Sequence, residues 1–128
     1  MTRPAMSEAA WQTCVVDLAR LYRWTVIHSA DSRRQVIGRD GTAQLVGDDG
    51  MAGFPDLMLI RERVVFVELK TATGRLRPAQ HRILTSLRRA GQEVYLWRPD
   101  DLDDARRVLA LPVPPMLLTE DVGGRGRL

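Results

Sequence analysis

Apolar positions along the chain change period several times, and each change predicts an element. Between Ser7 and Tyr22, the residues Trp11, Cys14, Val15, Leu18, Leu21 and Tyr22 recur at three- and four-residue spacing, the stripe of an amphipathic helix. Ser7 is placed to cap its N-terminus. Trp24 to His28 follows as a short strand. Two β-rich runs, FPDLMLI at 54–60 and VVFVELK at 64–70, are separated by Arg61-Glu62-Arg63 and read as a hairpin. A second helix extends from about Pro78 to Ala90, opened by a proline suited to a first turn and stopped by Gly91. Glu93 to Trp97 reads as a strand. Asp100 to Ala110 reads as a short helix with acidic residues in its first turn, where the helix dipole favours them.

Residues 30–52 break this rhythm. They are polar and rich in Gly and Asp, with turn signals at 38–41 and 47–50 and room for a small hairpin pairing 35–37 with 44–46. So long a connection in a small domain is more often functional than idle. Beyond Leu111, Pro-Val-Pro-Pro and Gly-Gly-Arg-Gly-Arg read as a loose tail. The expected organisation is one domain over residues 1–110 and a Pro/Gly-rich C-terminal tail over 111–128. The order α-β-β-β-α-β-α implies a central mixed β-sheet flanked by helices, an α/β fold.

Composition narrows the function classes. Apolar residues make up 45% of the 128, enough for one core. No apolar run reaches the roughly 18 residues of a membrane span. The first residues, MTRPAMSEAAWQ, lack an apolar signal core, so a cytoplasmic setting is expected. One cysteine and two histidines leave no internal disulfide framework and no usual zinc ligand set. The net charge of +3 is weak evidence for a polyanionic partner. More informative is the kind of base: 18 arginines and one lysine, Lys70. Arginine and lysine differ where a compact point charge or a removable proton is needed.

The hairpin brings chemistry together. With Arg61-Glu62-Arg63 as its loop, Ile60 pairs with Val64, and counting outward sets Asp56 opposite Glu68. Directly opposed residues share a face, with Cβ atoms about 5 Å apart. Lys70 shares that face because side chains alternate along a strand. A loop one residue longer or shorter would send Asp56 and Glu68 to opposite faces. Two adjacent carboxylates repel, whereas a hard divalent cation such as Mg²⁺ takes oxygen ligands from one or two carboxylates plus substrate phosphate. The backbone carbonyl of Leu69 could add a ligand. The competing structural reading is an exposed Glu68–Lys70 ion pair at a strand end, with Asp56 capping a turn.

Two helical residues join the candidates. Glu8 lies near the start of the Trp11–Val15–Leu18 stripe, either facing inward or complementing the helix dipole. Gln80 sits one turn before Ile83 and Leu84, at the centre of its helix's apolar face. A buried amide needs partners. It could meet a metal-bound water or a DNA phosphate, or cap a backbone group. Arg75, Arg77, Arg82, Arg88 and Arg89 could track a nucleic-acid backbone or form ordinary solvated surface.

At these residues the chain resembles a known family. Gly53-Phe-Pro-Asp56, Glu68-Leu-Lys70, Gly74-Arg-Leu-Arg-Pro-Ala-Gln80 and Gly91 before a strand are similar to the VRR-NUC branch of the PD-(D/E)XK nuclease superfamily. The similarity extends over about residues 6–110. It implies an Mg²⁺- or Mn²⁺-dependent deoxyribonuclease, an endonuclease hydrolysing DNA phosphodiester bonds. Asp56 and Glu68 would ligate the metal, and Lys70 would orient or activate the attacking water. Glu8 would support the metal and Gln80 would complete the site. Gly53 would allow the tight turn into the Asp56 strand. Stand-alone domains of this branch are often homodimers acting on branched DNA, and the 30–52 loop would be the place for substrate preference. The rival expectations are a catalytically inactive nucleic-acid-binding module of the same fold and a nuclease with a restriction-type role.

Overall fold

The computed structural model of the protein describes residues 5–29, 33–37, 43–47 and 53–112. The Pro/Gly-rich tail beyond Pro112 and the turn signals at 38–41 and 48–50 lie outside these residues. In chain order the elements are α1 (Glu8–Leu21), β1 (Thr25–His28), β2 (Arg33–Ile37), β3 (Ala43–Gly47), β4 (Leu57–Ile60), β5 (Val64–Leu69), α2 (Pro78–Arg89), β6 (Glu93–Trp97) and α3 (Leu102–Ala110). A 3₁₀ turn, Pro99–Asp101, leads into α3. No described helix is long and apolar enough to cross a membrane.

One mixed sheet of four strands has the order β1-β4-β5-β6. β1 pairs antiparallel with β4, β4 antiparallel with β5, and β5 parallel with β6. The parallel step needs a crossover, and α2 supplies it. β2 and β3 form a separate two-stranded hairpin with Gln35 opposite Leu45, inside the expected loop.

The sheet divides the apolar residues into two cores. Leu57, Leu59, Val65, Val67 and Leu69 pack with Trp11, Val15 and Val16 of α1 and with Ala105, Val108 and Leu109 of α3. Phe66, Val94 and Leu84 of α2 make a smaller core on the opposite face, joined by Phe54, Met58 and Val64. The arrangement is helices, sheet, helix. Two of the three indoles in the first core donate to backbone: Trp11 Nε1 to the Trp97 carbonyl and Trp24 Nε1 to that of Leu109, each at 2.9 Å.

Helix ends follow their sequence signals, with one surprise. The Ser7 hydroxyl accepts the Ala10 N–H at 3.1 Å as the N-cap of α1. At the end of α2, Gly91 has φ +82°, and the N–H groups of Gly91 and Gln92 return to the carbonyls of Arg88 and Leu87. That is a Schellman closure. The end of α1 closes the same way, but there the left-handed position is held by Arg23, at φ 69°. The buried stripe of α1 also differs from expectation. It runs through Trp11, Val15, Val16 and Ala19, while Cys14 and Leu21 face solvent. The i, i+4 row Trp11–Val15–Ala19 is the one that meets the sheet, which turns Cys14 and Leu21 outward.

Candidate functional site

The β4–β5 register pairs Ile60 with Val64 and Leu57 with Val67. One step outward, Asp56 and Glu68 fall opposite each other, on the face that carries Met58 and Phe66. Asp56 precedes β4 and is held twice: its carbonyl accepts the Ser29 N–H at 2.9 Å, and its Oδ2 accepts the Leu69 N–H at 2.8 Å. Lys70 continues the ladder past the end of β5, donating its N–H to the Trp97 carbonyl at 3.1 Å.

Glu68 has no exposed surface. Both its carboxyl oxygens are buried, and neither meets a partner at hydrogen-bonding geometry. This rules out the exposed ion pair that the strand-end position allows. Burial, first, and then the adjacent Asp56 carboxyl push the Glu68 pKa up to about 9. Lys70 pulls in the other direction, and the charge of Glu8 adds a smaller upward push. A native fold rarely leaves two buried acceptors unpaired without a reason.

The first turn of α2 packs against the loop that leads into Asp56. Gln80 is buried, and its Oε1 accepts the Arg77 N–H at 2.9 Å, so part of its role is to cap the helix. Because a backbone N–H can only donate, this bond fixes the amide orientation and leaves the Gln80 NH₂ as the donor end. The residues before Asp56 press against the same turn. Gly53 has φ +83°, and a Cβ there would stand 2.4 Å from the Ala79 carbonyl carbon and 2.6 Å from the Gln80 nitrogen. Only glycine fits.

The remaining candidates are more peripheral. Glu8 is exposed in the first turn of α1, within electrostatic range of Glu68. The Leu69 side chain is buried in the first core, and its N–H serves Asp56. Arg75, Arg77, Arg82 and Arg88 are all exposed, the first two before α2 and the others on it. An open cleft of about 380 Å³ between α1 and β1, lined by Gln12, Asp17, Arg20 and His28 among others, includes none of the carboxylate-site residues.

Among the described residues, no group of three His, Cys, Asp or Glu side chains is gathered as a ready-made metal cage. A pair of carboxylates still suits Mg²⁺, which keeps several waters and takes substrate phosphate oxygens instead of filling an all-protein shell. The two orphaned oxygens of Glu68 are the kind of acceptors such an ion satisfies.

Three arginines have roles that the sequence pattern does not show. Arg61 and Arg63 flank the hairpin turn and reach the end of α3, where both donate to the Leu111 carbonyl at 2.6 Å. Their guanidiniums lie 4.7 and 5.0 Å from the Trp24 ring centroid. Arg63 also pairs with buried Glu93 at 2.7 Å, and Glu93 accepts the Tyr95 hydroxyl at 2.6 Å. Arg98 donates to two carbonyls of the segment after Lys70. No local periodicity could have revealed these, since the partners lie 24 to 50 residues away.

The VRR-NUC domain model matches residues 23–100, more than half of the chain and the whole stretch from β1 through β6. The chain belongs to the VRR-NUC domain family. A solved structure titled "VRR_NUC domain protein" superposes with a TM-score of 0.59 at 18% identity, covering 87% of this chain and 93% of its own. At that identity the likeness shows a shared fold. No curated protein matches the chain in sequence. This VRR-NUC domain thus has the nuclease-like architecture, with the Asp56, Glu68 and Lys70 side chains brought to one end of its central hairpin.

Proposed function

We propose that this VRR-NUC domain is a divalent-metal-dependent nuclease that hydrolyses DNA phosphodiester bonds, with Asp56, Glu68 and Lys70 at its centre. The observation that carries the reading is the Glu68 carboxyl, fully buried opposite Asp56 with both oxygens unpartnered. Asp56 and Glu68 would hold Mg²⁺ or Mn²⁺, with the Leu69 carbonyl as a further oxygen donor and Glu8 acting through water. When bound, such an ion supplies Lewis-acid polarisation of the phosphoryl oxygen and lowers the pKa of water.

The chain's own groups do the rest. Asp56 is preset by the Leu69 N–H, so its carboxylate needs no reorganisation before it acts. Lys70, two residues after Glu68, would hold the attacking water or stabilise charge growing on the phosphate. The Gln80 NH₂ is directed as a donor, suited to a phosphate oxygen or a water. Arg75, Arg77, Arg82 and Arg88 offer exposed cations for the DNA backbone, a contribution that weakens as salt rises.

The test is to incubate the protein with supercoiled, linear, flap and four-way-junction DNA, with Mg²⁺ or with EDTA. Cleavage of one or more substrates in Mg²⁺ alone is the expected result. Binding to DNA with no cleavage of any substrate in Mg²⁺ or Mn²⁺ would instead mark a nucleic-acid-binding module of the same fold.

A further inference from the structure

The residue after the last strand is bound to the segment that follows Lys70. β6 ends at Trp97, whose carbonyl takes the Lys70 N–H at 3.1 Å. The next side chain, Arg98, turns back over the segment that follows Lys70. Its Nη1 donates to the carbonyls of Thr71 and Gly74, both at 2.6 Å. Arg98 is itself anchored, because its N–H is held by Asp101 Oδ2 at 2.8 Å, at the 3₁₀ turn.

The clamped segment is a tight turn. The Gly74 N–H reaches the Thr71 carbonyl at 3.3 Å and the Thr71 hydroxyl at 3.0 Å. It also backs the lysine: a Cβ on Gly74 would lie 3.6 Å from Lys70 Cδ. The aliphatic stem of Lys70 therefore lies beside a turn that one guanidinium holds. A planar, always charged fork suits two carbonyls at once, and its bonds to them are charge-assisted.

We infer that Arg98 is a positioning residue that sets the Lys70 ammonium by locking the 71–74 turn, so that it affects cleavage through Lys70 without touching DNA. The inference deepens the nuclease reading and rests on it for its kinetic consequence. Displacing a reacting group by about 1 Å can cost on the order of 100-fold in rate.

The experiment is a double-mutant cycle. Wild type, Arg98→Ala, Lys70→Met and the double variant are compared in single-turnover cleavage at saturating Mg²⁺, with DNA binding measured in Ca²⁺. Selective ¹⁵N-lysine labelling reads the geometry independently, because the chain has one lysine and so one labelled backbone amide. Arg98→Ala is expected to cut roughly 10- to 100-fold more slowly with unchanged DNA binding and a displaced Lys70 amide signal. In the Lys70→Met background it should cost nothing further. Arg98→Lys, which adds a second lysine and so is read by cleavage alone, should restore part of the rate; Arg98→Gln replaces Arg98→Ala in the cycle if that variant melts too readily to assay. Equal losses in both Lys70 backgrounds, or an unshifted Lys70 amide, would overturn the inference. If wild type cuts no DNA, the nuclease reading fails, and the amide signal alone then decides whether Arg98 sets Lys70.

Discussion

Asp56 Oδ2 accepts the backbone N–H of Leu69 at 2.8 Å, so the first carboxylate of the site is tied to the strand that carries the second. The bond crosses the hairpin beside Glu68 and makes Asp56 the better satisfied of the two, and Asp56 is also the more exposed. Glu68 has neither advantage. The pair is thus chemically unequal before any ligand arrives, and the inequality gives the metal-free protein a measurable pH dependence.

Glu68 titrates near 9 in the folded chain against an ordinary value of 4.5, chiefly because burial disfavours its charge. Between those values the unfolded chain releases a proton that the folded chain keeps, so folding stability falls as pH rises through that window. The stabilising preference is complete below the lower value and is lost as pH climbs through the upper one. Thermal melting in EDTA from pH 5 to pH 9 should show a declining midpoint for wild type and a flatter profile for Glu68→Gln. Mn²⁺ should restore wild type most at the alkaline end, where the ion displaces the proton. Parallel profiles for the two proteins would remove Glu68 as the titrating group.

Two glycines with the same backbone angle should respond differently to the same change. Gly53 and Gly91 have φ of +83° and +82°, but a Cβ at Gly53 would collide with the Ala79–Gln80 backbone, whereas at Gly91 it would meet nothing within 4 Å. Gly91→Ala should therefore cost only the left-handed strain, about 1–2 kcal/mol, and keep its cleavage activity. Gly53→Ala should lose more stability and most of its cleavage, since the loop leading into Asp56 must move off the first turn of α2. Melting curves and cleavage rates measured side by side decide this.

Much of that geometry was readable in the sequence. A three-residue loop between two β-rich runs leaves one register that buries Leu57, Leu59, Val65 and Val67 together, and that register sets Asp56 opposite Glu68. Pro78 and Gly91 mark both ends of α2 because each is suited to a backbone position that most residues fill poorly. What stayed hidden depended on distant backbone. The rotation of the α1 stripe away from Cys14 and Leu21 is decided by which row meets the sheet. Arg23 at positive φ follows a helix end that carries no glycine signal. Arg61, Arg63 and Arg98 look like surface charge until the carbonyls of Leu111, Thr71 and Gly74 are brought to them.

The arginines should accordingly separate into two classes. Arg63→Ala leaves buried Glu93 without its cation, and breaking a buried pair in this way costs about 3–5 kcal/mol. Alanine at Arg75, Arg77, Arg82 or Arg88, all exposed, should change stability by no more than about 0.5 kcal/mol. Those four changes should instead weaken DNA binding and reduce its dependence on salt. Denaturant unfolding and salt-titrated DNA binding give the two readouts, and a surface arginine variant with an unaltered salt slope would remove that residue from the DNA contact.

Lys70 should not tolerate arginine. Arg keeps the charge but is larger, planar and never deprotonated, whereas a lysine presents a compact ammonium to a single water. Lys70→Arg is expected to bind DNA in Ca²⁺ with near-normal affinity and to cleave at least about 100-fold more slowly in Mg²⁺, the lower end of what a water-orienting or proton-transfer group contributes. Cleavage at close to the wild-type rate would reduce Lys70 to a positive charge.

The claim that Asp56 and Glu68 together hold a catalytic divalent ion is tested most directly by single-turnover cleavage of labelled DNA across a Mg²⁺ titration, for wild type, Asp56→Asn and Glu68→Gln. Wild type should cut only with the ion present. Both variants should stay folded and lose at least about 100-fold in rate at every Mg²⁺ concentration, as expected when an electrostatic anchor of the transition state is removed. Wild-type cleavage in EDTA, or a full rate in either variant, would contradict the account.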